Sequence, residues 1–153
     1  MKTVLFACVH NAGRSQMACA MFNLLVDQSQ ARGVSAGTQP GERVHPECVG
    51  AMSELGIDMS NEKPKLLTPE LAKETHFLIT MGCGEACPHV PGLVREDWPL
   101  EDPKGKSPEK VREIRDKVKE HVLDFLGRQG WEKKTQIGQG AEKFQELVQS
   151  FSS

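Results

Sequence analysis

The chain has 153 residues, enough for one domain with a proper buried core, and its 38% apolar and 26% charged content reads as globular and soluble. A net charge of −2 with no basic stripe excludes nucleic acid as the main partner. No apolar run approaches the roughly 18 residues of a membrane span, and Val4-Leu5-Phe6-Ala7 is too short for a signal-peptide core.

Residues 2–7 read as a short buried strand that runs straight into the loop Cys8-Val9-His10-Asn11-Ala12-Gly13-Arg14-Ser15. A helix is predicted over 14–27, with Met17, Met21, Leu24 and Leu25 facing inward. Residues 32–37 form a second strand closed by glycine, and Pro40-Gly41 marks a turn. A second helix begins near Pro46, presents Cys48 or Val49, Met52 and Leu55, and ends at Gly56. Residues 58–67 are a polar loop containing Pro64. Thr68-Pro69-Glu70 then reads as an N-cap with proline at the first helical position, opening a short helix to about Glu74. The third strand spans 76–81, a Gly- and Pro-rich loop 82–92, and a short fourth strand 93–98. After the turn chemistry of Asp102-Pro103-Lys104-Gly105, Ser107-Pro108-Glu109 opens the longest helix. Its inner face is Val111, Ile114, Val118, Val122 and Phe125, and Gly127 is expected to stop it. Alternation of strand and helix predicts an α/β domain over 1–130: a four-stranded parallel sheet flanked by helices in three layers. Residues 131–153 form an extension, with a short helix over 141–151 or a flexible tail.

The loop carries the chemistry. A strand–loop–helix with cysteine at its start and arginine six positions on can wrap a tetrahedral oxyanion. Backbone N–H groups point inward, the helix N-terminus adds positive potential, and Arg14 supplies a bidentate fork. The same field favours thiolate at Cys8, so anion site and nucleophile are one device. Asn11 can hydrogen-bond across the loop, Gly13 relieves crowding, and Ser15 can donate to the sulfur. The rest of Val9–Ser15 would line the anion, with His10 at the rim. The alternative is a buried, inert thiol beside a surface arginine. Five cysteines, an odd number without an export signal, point to a reducing, cytoplasmic setting and catalytic, metal-binding or buried thiols.

Cys8, Asn11, Arg14 and Ser15, followed by Gln16-Met17-Ala18, resemble the low-molecular-weight tyrosine phosphatase superfamily, and more narrowly the arsenate reductases built on that fold. Ser35-Ala36-Gly37-Thr38, Val44-His45-Pro46 and Asp102-Pro103 extend the resemblance from residue 1 to about 127. It implies a flavodoxin-like three-layer fold and a general acid at Asp102, because an oxygen expelled as water or alkoxide needs a proton donor. Asp97, Glu96 and Glu101 are fallback acids.

A phosphatase has no need of Cys83 and Cys87, whereas a reductase needs both. The resemblance therefore implies an arsenate reductase whose relay runs from Cys8 to Cys83 and then to Cys87. It takes arsenate as substrate, holds no bound cofactor and no metal, and uses an external thiol reductant, thioredoxin or a similar dithiol. A monomer with weak phosphatase activity is expected. Two other readings stay open: a phosphatase for aryl or small esters, with Trp98 as the nearest aromatic, or a metal- or anion-binding regulatory domain using Cys83, Cys87 and His89. Cys83 and Cys87 could also be small core residues. Cys19 and Cys48 read as buried apolar residues. Some relatives hold potassium through an acidic side chain where this chain has Cys19. The resemblance thus implies no potassium requirement, with Lys63 or Lys65 placing positive charge near Asn11.

Overall fold

A computed structural model describes residues 1–82 and 92–133 of the protein. Four parallel strands organise it: β1 (Lys2–Cys8), β2 (Ala31–Gly37), β3 (Phe77–Thr80) and β4 (Val94–Asp97), in the spatial order β2-β1-β3-β4. Around them lie α1 (Arg14–Leu25), α2 (Pro46–Ser53), α3 (Pro69–Lys73) and α4 (Pro108–Gln129). The predicted α/β architecture is what forms.

β1 is buried along nearly its whole length, which explains why it reads as a continuous apolar run. Its alternate residues serve two cores. Val4, Phe6 and Cys8 pack on the larger one, with Met17, Met21 and Phe22 of α1, Cys48 and Met52 of α2, and the inner face of α4. Leu5 and Ala7 face the smaller one, with Ala36, Leu67, Leu78 and, at its margin, Leu71 of α3. Because β2 and β3 flank β1 on opposite sides, the chain reverses its direction of winding there. The carboxyl end of β1 is thus a topological switch point, where open α/β sheets place ligands. Cys8 sits at that end.

Some boundaries shift. α1 stops at Leu25 because Val26 turns extended and bridges Glu132. α4 runs through Gly127 and ends at Gly130, whose φ of 71° is the left-handed conformation that closes a helix. Gly127 has no such φ and is simply a weak helical residue. Thr68 and Ser107 cap α3 and α4 as predicted, their hydroxyls accepting from Leu71 N and Lys110 N. Cys83, Cys87, His89 and the helix expected over 141–151 lie outside the described residues.

Candidate active site

Every carbonyl from Cys8 to Gly13 points away from the loop's interior. Those of Cys8, Val9, His10, Ala12 and Gly13 accept from the N–H groups of Thr38, Gln39, Gly41, His45 and Met17. The Asn11 carbonyl accepts from Gln16 Nε2 at 3.1 Å. In a trans peptide the N–H points opposite to the C=O, and these peptides are all trans. The N–H groups of residues 9–14 therefore converge on the side the carbonyls have vacated. Asn11 N shows this directly, donating to Cys8 Sγ at 3.2 Å. The result is a nest for an anion, opening at the start of α1.

The tight turn places Asn11 at φ 50°, a conformation asparagine tolerates better than most residues. A buried network holds it there. Gln16 Nε2 donates to Asn11 Oδ1 at 3.0 Å as well as to its carbonyl, and Lys65 N donates to the same Oδ1 at 2.9 Å. Asn11 Nδ2 in turn donates to Ser15 Oγ at 2.7 Å. With that oxygen accepting, the hydroxyl proton of Ser15 is directed to Cys8 Sγ, 2.9 Å away. The sulfur thus receives a main-chain N–H and a hydroxyl.

Arg14 closes the site. Its Nη1 donates to Leu100 O at 2.8 Å, and its Nη2 lies 4.0 Å from Asp102 Oδ2. Gly82 forms the wall behind it: a Cβ there would stand 2.7 Å from Nη1, and its φ is 89°. Asp102 is half exposed, accepts from Lys104 N through Oδ1, and lines a small pocket with Cys8, His10, Ala12, Gly13, Arg14 and His45. The fallback acids are engaged elsewhere. Asp97 accepts from Thr80 Oγ1, Glu96 from Trp98 Nε1 and Arg128, and Glu101 pairs with Lys106 and Lys110.

One expectation needs correcting. Trp98 is not at the pocket mouth: it is 1% exposed, stacked on His121 at 5.1 Å and packed against Phe6. Lys63 and Lys65 reach the Asn11 network through main-chain atoms, Lys63 O accepting from Gln16, while both side chains are exposed. The network also brings in residues without a role assigned from sequence: Gln16, Leu100 through its carbonyl, Gly82, and Pro103, whose ring would meet a Gly13 Cβ at 2.9 Å. Gln16 and Pro103 sat in the quoted motifs; Leu100 and Gly82 are remote from the loop in sequence and carried no signal. Cys48 is buried against Gly13; burial, with the Glu47 and Asp102 charges, pushes its thiol up to about 12. Burial does the same to Cys19, also to about 12. Among the described residues no cluster of three His, Cys, Asp or Glu could hold a metal, and no helix is long and apolar enough to cross a membrane.

Fold and loop together define the phosphatase-like α/β proteins whose cysteine nucleophile sits in an oxyanion nest. Residues 3–137 match the family model described as low molecular weight phosphotyrosine protein phosphatase, and the chain belongs to that family. The glutaredoxin arsenate reductase of Synechocystis is 36% identical over 131 residues, 84% of this chain and 98% of the relative. An arsenate reductase of Staphylococcus aureus is 34% identical over 132 residues, 83% and 98%. The solved thioredoxin-dependent arsenate reductase of Corynebacterium glutamicum superposes with a TM-score of 0.73 at 36% identity, covering 84% of this chain. This chain spans 61% of the length of that one. A tyrosine phosphatase from Erwinia amylovora shares the fold, with a TM-score of 0.72 at 15% identity over 83% of this chain and 92% of that one.

Proposed function

We propose that the protein reduces arsenate to arsenite through a three-thiol relay recycled by a thioredoxin-like dithiol in the cytoplasm. The observation that carries this reading is the juxtaposition of Cys8, Arg14 and Gly82. The nucleophile lies in an anion nest, and the chain carrying the next thiol departs from the guanidinium at its rim, Cys83 being the residue after Gly82.

Arsenate enters the nest, its oxygens taken by the loop N–H groups and Arg14. The Cys8 thiolate attacks arsenic and an As–O bond breaks. Asp102 gives a proton to the departing oxygen, which leaves as water. Cys83 then attacks the Cys8 sulfur. The electron pair of the S–As bond goes to arsenic, arsenite departs, and a Cys8–Cys83 disulfide remains. Cys87 attacks Cys83, which frees Cys8, and the external dithiol supplies two electrons to reopen the Cys83–Cys87 bond. No cofactor is bound in this cycle, and potassium has no part in it.

A phosphate ester could undergo the first step, after which water attacks the phosphocysteine, breaks the S–P bond and releases phosphate, so weak hydrolysis accompanies the reductase. Burial of Trp98 leaves no aromatic wall for a phenyl ring among the described pocket residues, which favours the free oxyanion as substrate.

Replacement of cysteines one at a time tests the scheme. Cys8→Ser should abolish both arsenate reduction and ester hydrolysis. Cys83→Ser and Cys87→Ser should abolish multiple-turnover reduction and spare hydrolysis. Normal reduction by Cys83→Ser would rule the relay out. Thioredoxin and glutaredoxin, each supplied with its own reductase system, distinguish the electron donor.

A further inference from the structure

His45 occupies the N-cap of α2, a position where a side-chain oxygen ordinarily accepts from the first helical N–H groups. Thr68 and Ser107 do so for their helices, but His45 makes no capping bond. Its side chain is turned to the active site instead. Ring atom Cδ2 lies 3.3 Å from where a Gly13 Cβ would stand, so the imidazole rests against the wall of the anion loop. The residue lines the same pocket as Cys8, Arg14 and Asp102. Its position is set by the main chain: His45 N donates to Ala12 O at 2.7 Å, and Pro46 follows.

The other imidazole at the mouth, His10, has Nδ1 at 3.0 Å from Gln39 O. Among the described residues the His45 ring has no hydrogen-bond partner, and no buried side-chain nitrogen or oxygen is left unsatisfied, so its ring nitrogens keep some access to solvent. A half-buried imidazole with no partner, held against an anion nest, has a donor to give.

We propose that His45 is a second side-chain donor to the bound oxyanion, beside Arg14; this rests on the oxyanion reading of the loop. The need for such a donor is geometric. Loop N–H groups reach the oxygens seated at the base of the nest. Arg14 is already partly committed, one nitrogen to Leu100 O and the other drawn toward Asp102. Asp102 is reserved for the departing oxygen. An oxygen directed at the rim needs an N–H from outside the loop, and His45 presents one from the start of α2. The same demand explains Gly13: any side chain there would displace His45 on one side and Pro103, next to the acid, on the other.

The test is direct binding of inorganic phosphate and of arsenate, by calorimetry, to the full chain carrying Cys8→Ser, which cannot turn over. Adding His45→Ala should weaken both anions about tenfold, the loss of one hydrogen bond to a charged group. Adding His45→Ser separates binding from folding, because serine is a good N-cap but is too short to reach the anion. It should weaken binding as much as alanine while the thermal midpoint stays level or rises. His45→Asn, a cap that also carries an N–H donor, should recover part of the affinity. Unchanged anion affinity in His45→Ser overturns the proposal, and so does a loss that tracks a fall in thermal midpoint. If the Cys8→Ser parent binds neither anion, the oxyanion reading falls, and this proposal with it.

Discussion

Asn11 is the residue on which the loop turns. It adopts a left-handed backbone conformation, donates to both Cys8 and Ser15, and is itself held by Gln16 and Lys65 N. The chain Gln16–Asn11–Ser15–Cys8 links a buried amide to the candidate nucleophile, and Gln16 reaches the sulfur only through Asn11 and Ser15. Gln16→Met keeps the volume and removes the donor. It should take one donor from the Asn11 carbonyl, from Oδ1 and from Lys63 O, and lower kcat at least about tenfold. KM should change little, and alkylation of Cys8 by iodoacetamide, followed by peptide mapping, should slow in parallel. A variant with full kcat would show that Asn11 holds its shape without Gln16. Cys8, Arg14 and Ser15 could be read from sequence because one loop carries them all. His45 and Gly82 could not, because their relation to the loop exists only across space.

At the scale of elements, the loop keeps its shape because β2 is pressed against it. A Cβ on Gly37, the last residue of β2, would stand 2.6 Å from Val9 O and 2.9 Å from Asn11 N. Both are main-chain atoms of the nest and cannot rotate away. Gly37→Ala should therefore lower the thermal midpoint by an amount corresponding to about 1–3 kcal/mol of overpacking and remove anion binding with it. Gly50 is the matched control. It lies inside α2 with nothing within 4 Å of a would-be Cβ, so Gly50→Ala should stabilise by about 0.5–1 kcal/mol and leave turnover intact. Thermal melts of the two variants, with arsenate reduction alongside, separate crowding at the loop from helix propensity. The element types were legible because each carries local signals, such as the Ser-Pro opening of α4. Its end was misplaced from sequence because Gly127 and Gly130 look alike in a string. Only Gly130 has the positive φ, and the chain beyond it must turn back so that Trp131 packs on Phe77 and Phe125.

For the whole molecule, alkaline pH is the condition that exposes how the core is built. Cys48 and Cys19 have thiols pushed up to about 12, in each case chiefly by burial. A group whose folded-state value is raised supports the fold fully below its unfolded value and loses that support as pH climbs through the folded one. Stability should thus be insensitive to these thiols below pH 9 and fall between pH 9 and 12, by up to about 4 kcal/mol for Cys48 alone. The chain has no tyrosine to add to this limb. Urea midpoints measured from pH 8 to 11 should decline less steeply in Cys48→Ala, and an unchanged slope would contradict the assignment. The sequence by itself determined the sheet, the order of its helices and the family, and it singled out Cys8, Arg14 and Asp102 as candidate nucleophile, anion clamp and acid. These rest on hydrophobic period, turn chemistry and a contiguous motif, all of which are local. Tertiary structure alone decided that Asp102, not Asp97 or Glu96, shares the pocket, that Trp98 is core, and that His45 and Gly82 border the site. Such facts depend on which strand ends and loops the parallel sheet gathers at the carboxyl end of β1, and no spacing along the chain encodes that meeting.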